Sequence, residues 1–162
     1  MGGEGRYAAA RPPLRTPVVS APMSLDPESY QSLAGFRLAL RRFMAEAEAI
    51  SKAAGVTQQQ YQAMLAIKTW PGHAMTMGDL AEQLLLTHHA AVQLINRMTK
   101  AGVAARAPSP SDRRSVELRL TPAGEALMEQ LALLHLREVL RQEPQLTRSL
   151  RRLRRVSPDE GG

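Results

Sequence analysis

Few side chains in this sequence could do acid–base or metal chemistry. Histidine stands at 73, 88, 89 and 135, and cysteine is absent. His88 and His89 are adjacent, so on a helix they point about 100° apart and cannot present one paired face. One of them with His135 or a carboxylate stays an alternative metal site, but no metal and no cofactor is expected. The phosphate-cradling pattern GxxxxGKS/T and the nucleophile elbow GxSxG do not occur. Nothing pairs a nucleophile with a base, and the chain does not read as an enzyme. The chemistry that remains is recognition. His88 and His89 can donate or accept. Gln93 and Asn96 suit adenine or phosphate. Arg97 lies one helical turn beyond Gln93, and Asp112, Arg113 and Arg114 form a charged turn.

The elements that must hold these residues are legible. Thr87 is a candidate N-cap for a helix whose apolar residues recur at Val92, Leu94, Ile95 and Met98. Lys100-Ala101-Gly102 closes it with a cation and then the residue most tolerant of left-handed φ. The period then changes. Val116, Leu118 and Leu120 alternate with Ser115, Glu117 and Arg119, the pattern of a half-buried strand. PSPSDRR between them is a turn ending in two arginines. Upstream, Thr76 with Asp79 predicts a capping box that opens a short helix through Leu80, Ala81 and Leu84, and Leu85-Leu86-Thr87 turns the chain into the next helix. In such a pair the second helix is the reader of a duplex, with its N-terminal turn at the base edges.

DRRSVELRLT, with Asp112, Arg114, Leu118, Leu120 and Thr121, resembles the wing signature of the multiple antibiotic resistance regulator (MarR) family. The likeness extends back through NRMTKAGVAAR, TMGDLAEQLLLT and GVTQQQYQAMLAI, and so spans roughly Gly55 to Gly124. It implies a mostly α winged helix-turn-helix fold with a small β-hairpin wing and N- and C-terminal dimerisation helices. It implies a homodimer on a palindromic double-stranded DNA operator, acting as a ligand-responsive repressor. Thr87, His88, His89, Gln93, Asn96 and Arg97 would then face DNA, with Asp112 orienting Arg114 and Arg113 beside it on the wing. A small aromatic or anionic effector would sit against Phe36, Phe43, Met64 and Trp70. The rival class is a winged-helix architectural or protein–protein module that does not read sequence. Met98 and Ala104-Ala105 stand where the family more often has Leu, Val and acidic residues.

Composition agrees with a polyanionic partner. The 162 residues carry a formal net charge of +6, and no acid occurs between Glu82 and Asp112 while Arg97, Lys100 and Arg106 do. With only two Phe, one Trp and three Tyr, base stacking on single strands is excluded as the main mode. Lack of cysteine suits a reducing cytoplasm, and no apolar run approaches the roughly 20 residues that span a bilayer.

Residues 1–25, rich in Gly, Ala, Pro and Arg, are expected to be a disordered arm, with Met23 a candidate physiological start. Residues 26–155 are expected to form one domain, with dimerisation helices at 26–54 and 122–155 around a DNA-binding lobe at 56–121; 156–162 is a tail. Asp26-Pro27-Glu28 opens the first helix, and Leu33, Phe36, Leu40, Phe43, Ala47 and Ile50 give it a narrow stripe suited to helix-on-helix packing. Thr57 with Gln60 caps a second helix that Trp70-Pro71-Gly72 ends. Thr121-Pro122 opens another, with Leu127, Leu131 and Leu134 on one face, and Pro144 is expected to break it before a last basic helix from about Gln145 to Arg155.

Overall fold

The computed structural model describes residues 25–109 and 116–156. Asp112, Arg113 and Arg114, most of the N-terminal arm and most of the tail lie outside the described residues. The order of elements is α1 (Pro27–Ala53), α2 (Gln58–Thr69), a 3-10 turn at Pro71–His73, α3 (Met77–Gln83), α4 (His88–Lys100), β1 (Ala104–Pro108), β2 (Val116–Leu120) and α5 (Pro122–Val156).

Local sequence sets most of these boundaries. Asp26 accepts from the Ser29 N–H at 2.6 Å to start α1. Reciprocal capping boxes join Thr57 to Gln60 and Thr76 to Asp79, opening α2 and α3. Thr121 accepts from the Gly124 N–H at 3.0 Å to open α5. At the end of α4, Val103 N–H bonds Met98 O and Gly102 N–H bonds Thr99 O, both at 3.0 Å. Gly102 supplies the left-handed φ of +74° that this Schellman closure requires.

The core lies under α2, α3, α4 and the hairpin. Met64, Met75, Leu80, Leu94, Ile95, Met98, Leu118 and Leu131 are all under 2% exposed. β1 and β2 pair antiparallel, with Ala104 opposite Leu120 and Arg106 opposite Leu118. Leu118 N–H donates to Met75 O at 2.8 Å and Thr76 bridges Glu117, so the chain before α3 lies along the second edge of β2. Strict alternation along β2 does not hold: Val116 is exposed and Glu117 is buried. Thr76 runs beside that strand, while the Ser109 hydroxyl and the Arg119 guanidinium satisfy the Glu117 carboxylate and hold it below the usual carboxylate range.

The long helices differ from expectation in two ways. α5 is continuous through Pro144. A proline inside a helix costs about 3 kcal/mol, and here packing against α1 on both sides of it offsets that cost. Ser51 Oγ lies 3.3 Å from His135 Nε2, and Ser29 Oγ donates to Val156 O at 3.3 Å, so the two helices run antiparallel. The buried line of α1 also overlaps the apolar stripe only at Ala47. The residues buried on α1 are Ser29, Ser32, Ala39, Ala47 and Ser51, while Leu33 and Leu40 are exposed and Phe36, Phe43 and Ile50 half-buried. On α5, Leu131 is buried, Leu127 half-buried and Leu134 exposed.

Candidate nucleic-acid interface

α3, the turn at Leu84–Leu86 and α4 build a helix-turn-helix. The turn closes like a glycine turn: Leu86 N–H bonds Ala81 O at 2.8 Å and Leu85 N–H bonds Glu82 O at 3.1 Å. The left-handed position is filled by Leu85, with φ of +54° and 91% exposure. A leucine there costs on the order of 1–2 kcal/mol relative to a right-handed residue. Nothing in the sequence pattern marked it, because neither glycine nor asparagine, the usual signals of a left-handed position, stands there.

α4 has two faces. Ala91, Leu94, Ile95 and Met98 are each 0% exposed and lock the helix onto the core. His89, Gln93, Asn96 and Lys100 fall at steps of four, three and four on the opposite side, and all are exposed. Thr87 caps the helix, accepting from the Ala90 N–H at 3.2 Å. His88, His89 and Arg97 are exposed as well. The structure therefore brings Thr87, His88, His89, Gln93, Asn96 and Arg97 onto one solvent-facing element. Its first turn carries the positive end of the helix dipole and no acid.

Arg106 on β1 joins this surface. Its Nη2 donates to Asn96 Oδ1 at 2.8 Å. Sequence reading placed Arg106 in the acid-free stretch without a role, since a contact between elements ten residues apart leaves no periodic trace. Between α4 and the hairpin lies an open groove of about 430 Å³, lined by Val92, Val116 and Leu118 with His88, Asn96 and Arg106.

The four residues expected to hold an effector differ in burial. Met64 is 0% exposed in the core, and Trp70 packs against that core half-buried. Phe36 and Phe43 lie half-buried on α1. Elsewhere a polar joint links the long helices to the lobe. The His135 ring stacks on Tyr61 with centroids 3.9 Å apart and planes 10° from parallel, and Ser51 Oγ donates to Gln58 Oε1 at 2.7 Å beside it. Burial lowers the His135 pKa and raises that of Tyr61. Among the described residues, no cluster of three or more His, Asp or Glu could hold a metal ion, and no helix is long and apolar enough to cross a membrane.

Comparison with known proteins agrees with this architecture. Residues 54–115 match the model of the MarR family. The chain is 34% identical over 82 residues to the transcriptional activatory protein BadR of Rhodopseudomonas palustris, covering 50% of this chain and 47% of that one. It spans about half the length of the curated relatives it matches. Among solved structures, the Streptomyces coelicolor MarR family regulator AbsC superposes with a TM-score of 0.65 at 24% identity, over 74% of this chain and 80% of that one. A Staphylococcus aureus MepR variant bound to an oligodeoxyribonucleotide superposes with a TM-score of 0.59 at 18% identity, over 78% of this chain and 96% of its own.

Proposed function

Because the central lobe of this chain belongs to the MarR family of transcription regulators, we propose that the protein is a homodimeric regulator that reads double-stranded DNA in a sequence-specific way and acts as a ligand-responsive repressor. One observation carries the reading. The exposed face of α4 presents His89, Gln93, Asn96 and Lys100 beside the Asn96–Arg106 bond, in a stretch without acids. Those side chains suit base edges and phosphates. The oligodeoxyribonucleotide-bound MepR variant, of the same fold, supports DNA as the partner. The Asp112, Arg113 and Arg114 turn would add wing contacts at the minor groove.

Dimerisation is supported by the apolar residues left outside the α1–α5 pair. Leu33, Leu40 and Met44 on α1 and Leu133, Leu136 and Leu140 on α5 are all 40% or more exposed, more than isolated surface leucines account for. Two recognition helices about one duplex turn apart need such a two-fold partner. We extend the reading to a small aromatic or anionic effector at Phe36, Phe43, Met64 and Trp70, which rests on the family resemblance alone. Benzoate should raise the melting temperature of the wild type and not of Phe43→Ala.

The test of the main reading is selection of duplexes from a random-sequence pool with the full chain, then anisotropy on the winner. A regulator should prefer that duplex to random DNA by ~10³ or more. Equal affinity for both would make the protein an architectural module instead.

A further inference from the structure

Asn96 is exposed on the third turn of α4, yet its amide is held: Arg106 Nη2 donates to Oδ1 at 2.8 Å. A guanidinium has donors only, so the atom facing it must be the amide oxygen, and the Nδ2 group is turned elsewhere. Asn96 lies on the same exposed line as His89 and Gln93. Bidentate reading of adenine asks an asparagine to accept through its oxygen and donate through its nitrogen along one edge. Here the oxygen already accepts from β1, and that bond turns it toward Arg106 and away from the adenine edge that the bidentate mode requires.

We propose that Arg106 is a positioning residue that sets the Asn96 amide as a donor toward the duplex, so that Asn96 meets a single acceptor through Nδ2 rather than reading adenine bidentately. The acceptor is an oxygen or ring nitrogen on DNA: a phosphate oxygen, or O6 and N7 of guanine. The inference rests on the regulator reading above. Its own content is the direction of the Asn96 hydrogen bond and the dependence of that direction on Arg106. The contact also ties the reading helix to the wing strand, so both enter the duplex as one surface.

The experiment uses the full chain, a random-core duplex pool and the selected winner, with Asn96→Ala, Arg106→Ala, Arg106→Lys and the Asn96→Ala/Arg106→Ala double variant. Asn96→Ala should weaken binding about tenfold, within the usual range for one good contact. Arg106→Ala should cost more than tenfold alone but clearly less when Asn96 is already Ala, since the share acting through Asn96 is gone. Arg106→Lys, which can still donate to Oδ1, should recover most of the loss. Melting temperatures, measured alongside, separate folding from reading. Loss of a guanine preference at one position in the pool selected by Asn96→Ala would place the acceptor on a base. A uniform loss across sequences, with the salt slope unchanged because a neutral amide releases no counterion, would place it on phosphate. Additive single variants, or Asn96→Ala binding within twofold of wild type, would overturn the proposal. Failure of the wild type to select any duplex would instead overturn the regulator reading beneath it.

Discussion

The lobe from α2 to β2 and the α1–α5 pair are built on opposite plans. The lobe hides its large side chains: Met64, Leu80, Leu94, Ile95 and Met98 are 0% exposed. The helix pair hides mostly small and polar ones, Ser29, Ser32, Ala39, Ala47 and Ser51 on α1 with His135 and Gln142 on α5, and leaves most of its leucines outside, Leu131 at the lobe excepted. Burying a leucine is worth about 1.5–3 kcal/mol, so the lobe carries its own stabilisation while the pair leaves most of its own unrealised. A domain can fold around the first plan alone. The second leaves Leu133, Leu136 and Leu140 uncovered, and the two-fold partner proposed above would supply the surface that covers them.

The strongest way to break this contrast is to spoil the outer face. Leu136→Glu with Leu140→Glu should remove about 3–6 kcal/mol from association, two leucines' worth of burial. Light scattering at micromolar concentration should then report a monomer with an intact melting transition of the lobe. A dimer that survives both changes would mean that the covering surface lies elsewhere. The next largest effect tests the lobe. Gly124 sits where the first turn of α5 crosses the hairpin, and a Cβ there would lie 1.9 Å from Val103 O. That contact is backbone, which cannot rotate away. Gly124→Ala should destabilise by about 1–3 kcal/mol or more, read as a lower urea midpoint, with the oligomeric state unchanged. Thr87→Ala should cost about 1 kcal/mol through the lost cap, and the loss should show as fraying of α4 in hydrogen exchange.

How far the sequence told this story follows the same divide. The lobe is written in local signals. Thr57 with Gln60, Thr76 with Asp79, Thr87 and Gly102 each act on residues within five positions, and each stands where the pattern put it. The helix pair depends on what lies across from it. Pro144 reads as a break because its cost is local while the α1 packing that offsets it is 100 residues away in sequence. The apolar stripe from Leu33 to Ile50 is buried only at Ala47, with Ile50 packed against the core, while Leu33 and Leu40 stay exposed; the other buried positions of α1 are serines and Ala39 beside it. Glu117 reads as outward because alternation cannot register that Thr76 bridges its strand and that Ser109 and Arg119 meet its carboxylate. The candidate interface divides likewise: the α4 face was legible from period and cap, whereas the Asn96–Arg106 bond was not.

The smallest expected effect lies at the joint between the two regions. His135 is 7% exposed, stacked on Tyr61 of α2 and 3.3 Å from Ser51 of α1. Burial holds its pKa below the unfolded value near 6.5. A folded pKa below the unfolded one means the unfolded chain binds the proton first. Stability is therefore unaffected well above pH 6.5, falls as the pH drops through the unfolded pKa, and levels off below the folded one. Urea midpoints between pH 7.5 and 5.5 should decline in the wild type. His135→Gln keeps a polar side chain of related length without the titration, so its midpoint, whatever its absolute value, should decline less over the same range. Glu138 and Glu117 have folded pKa values lowered instead, and their losses begin only near the carboxylate range, below this window. Equal slopes for both proteins would mean that the joint opens without protonation of this ring. A steeper slope in the wild type, with hydrogen exchange rising first at the α1–α2 junction, would identify His135 as the place where the lobe parts from the α1–α5 pair.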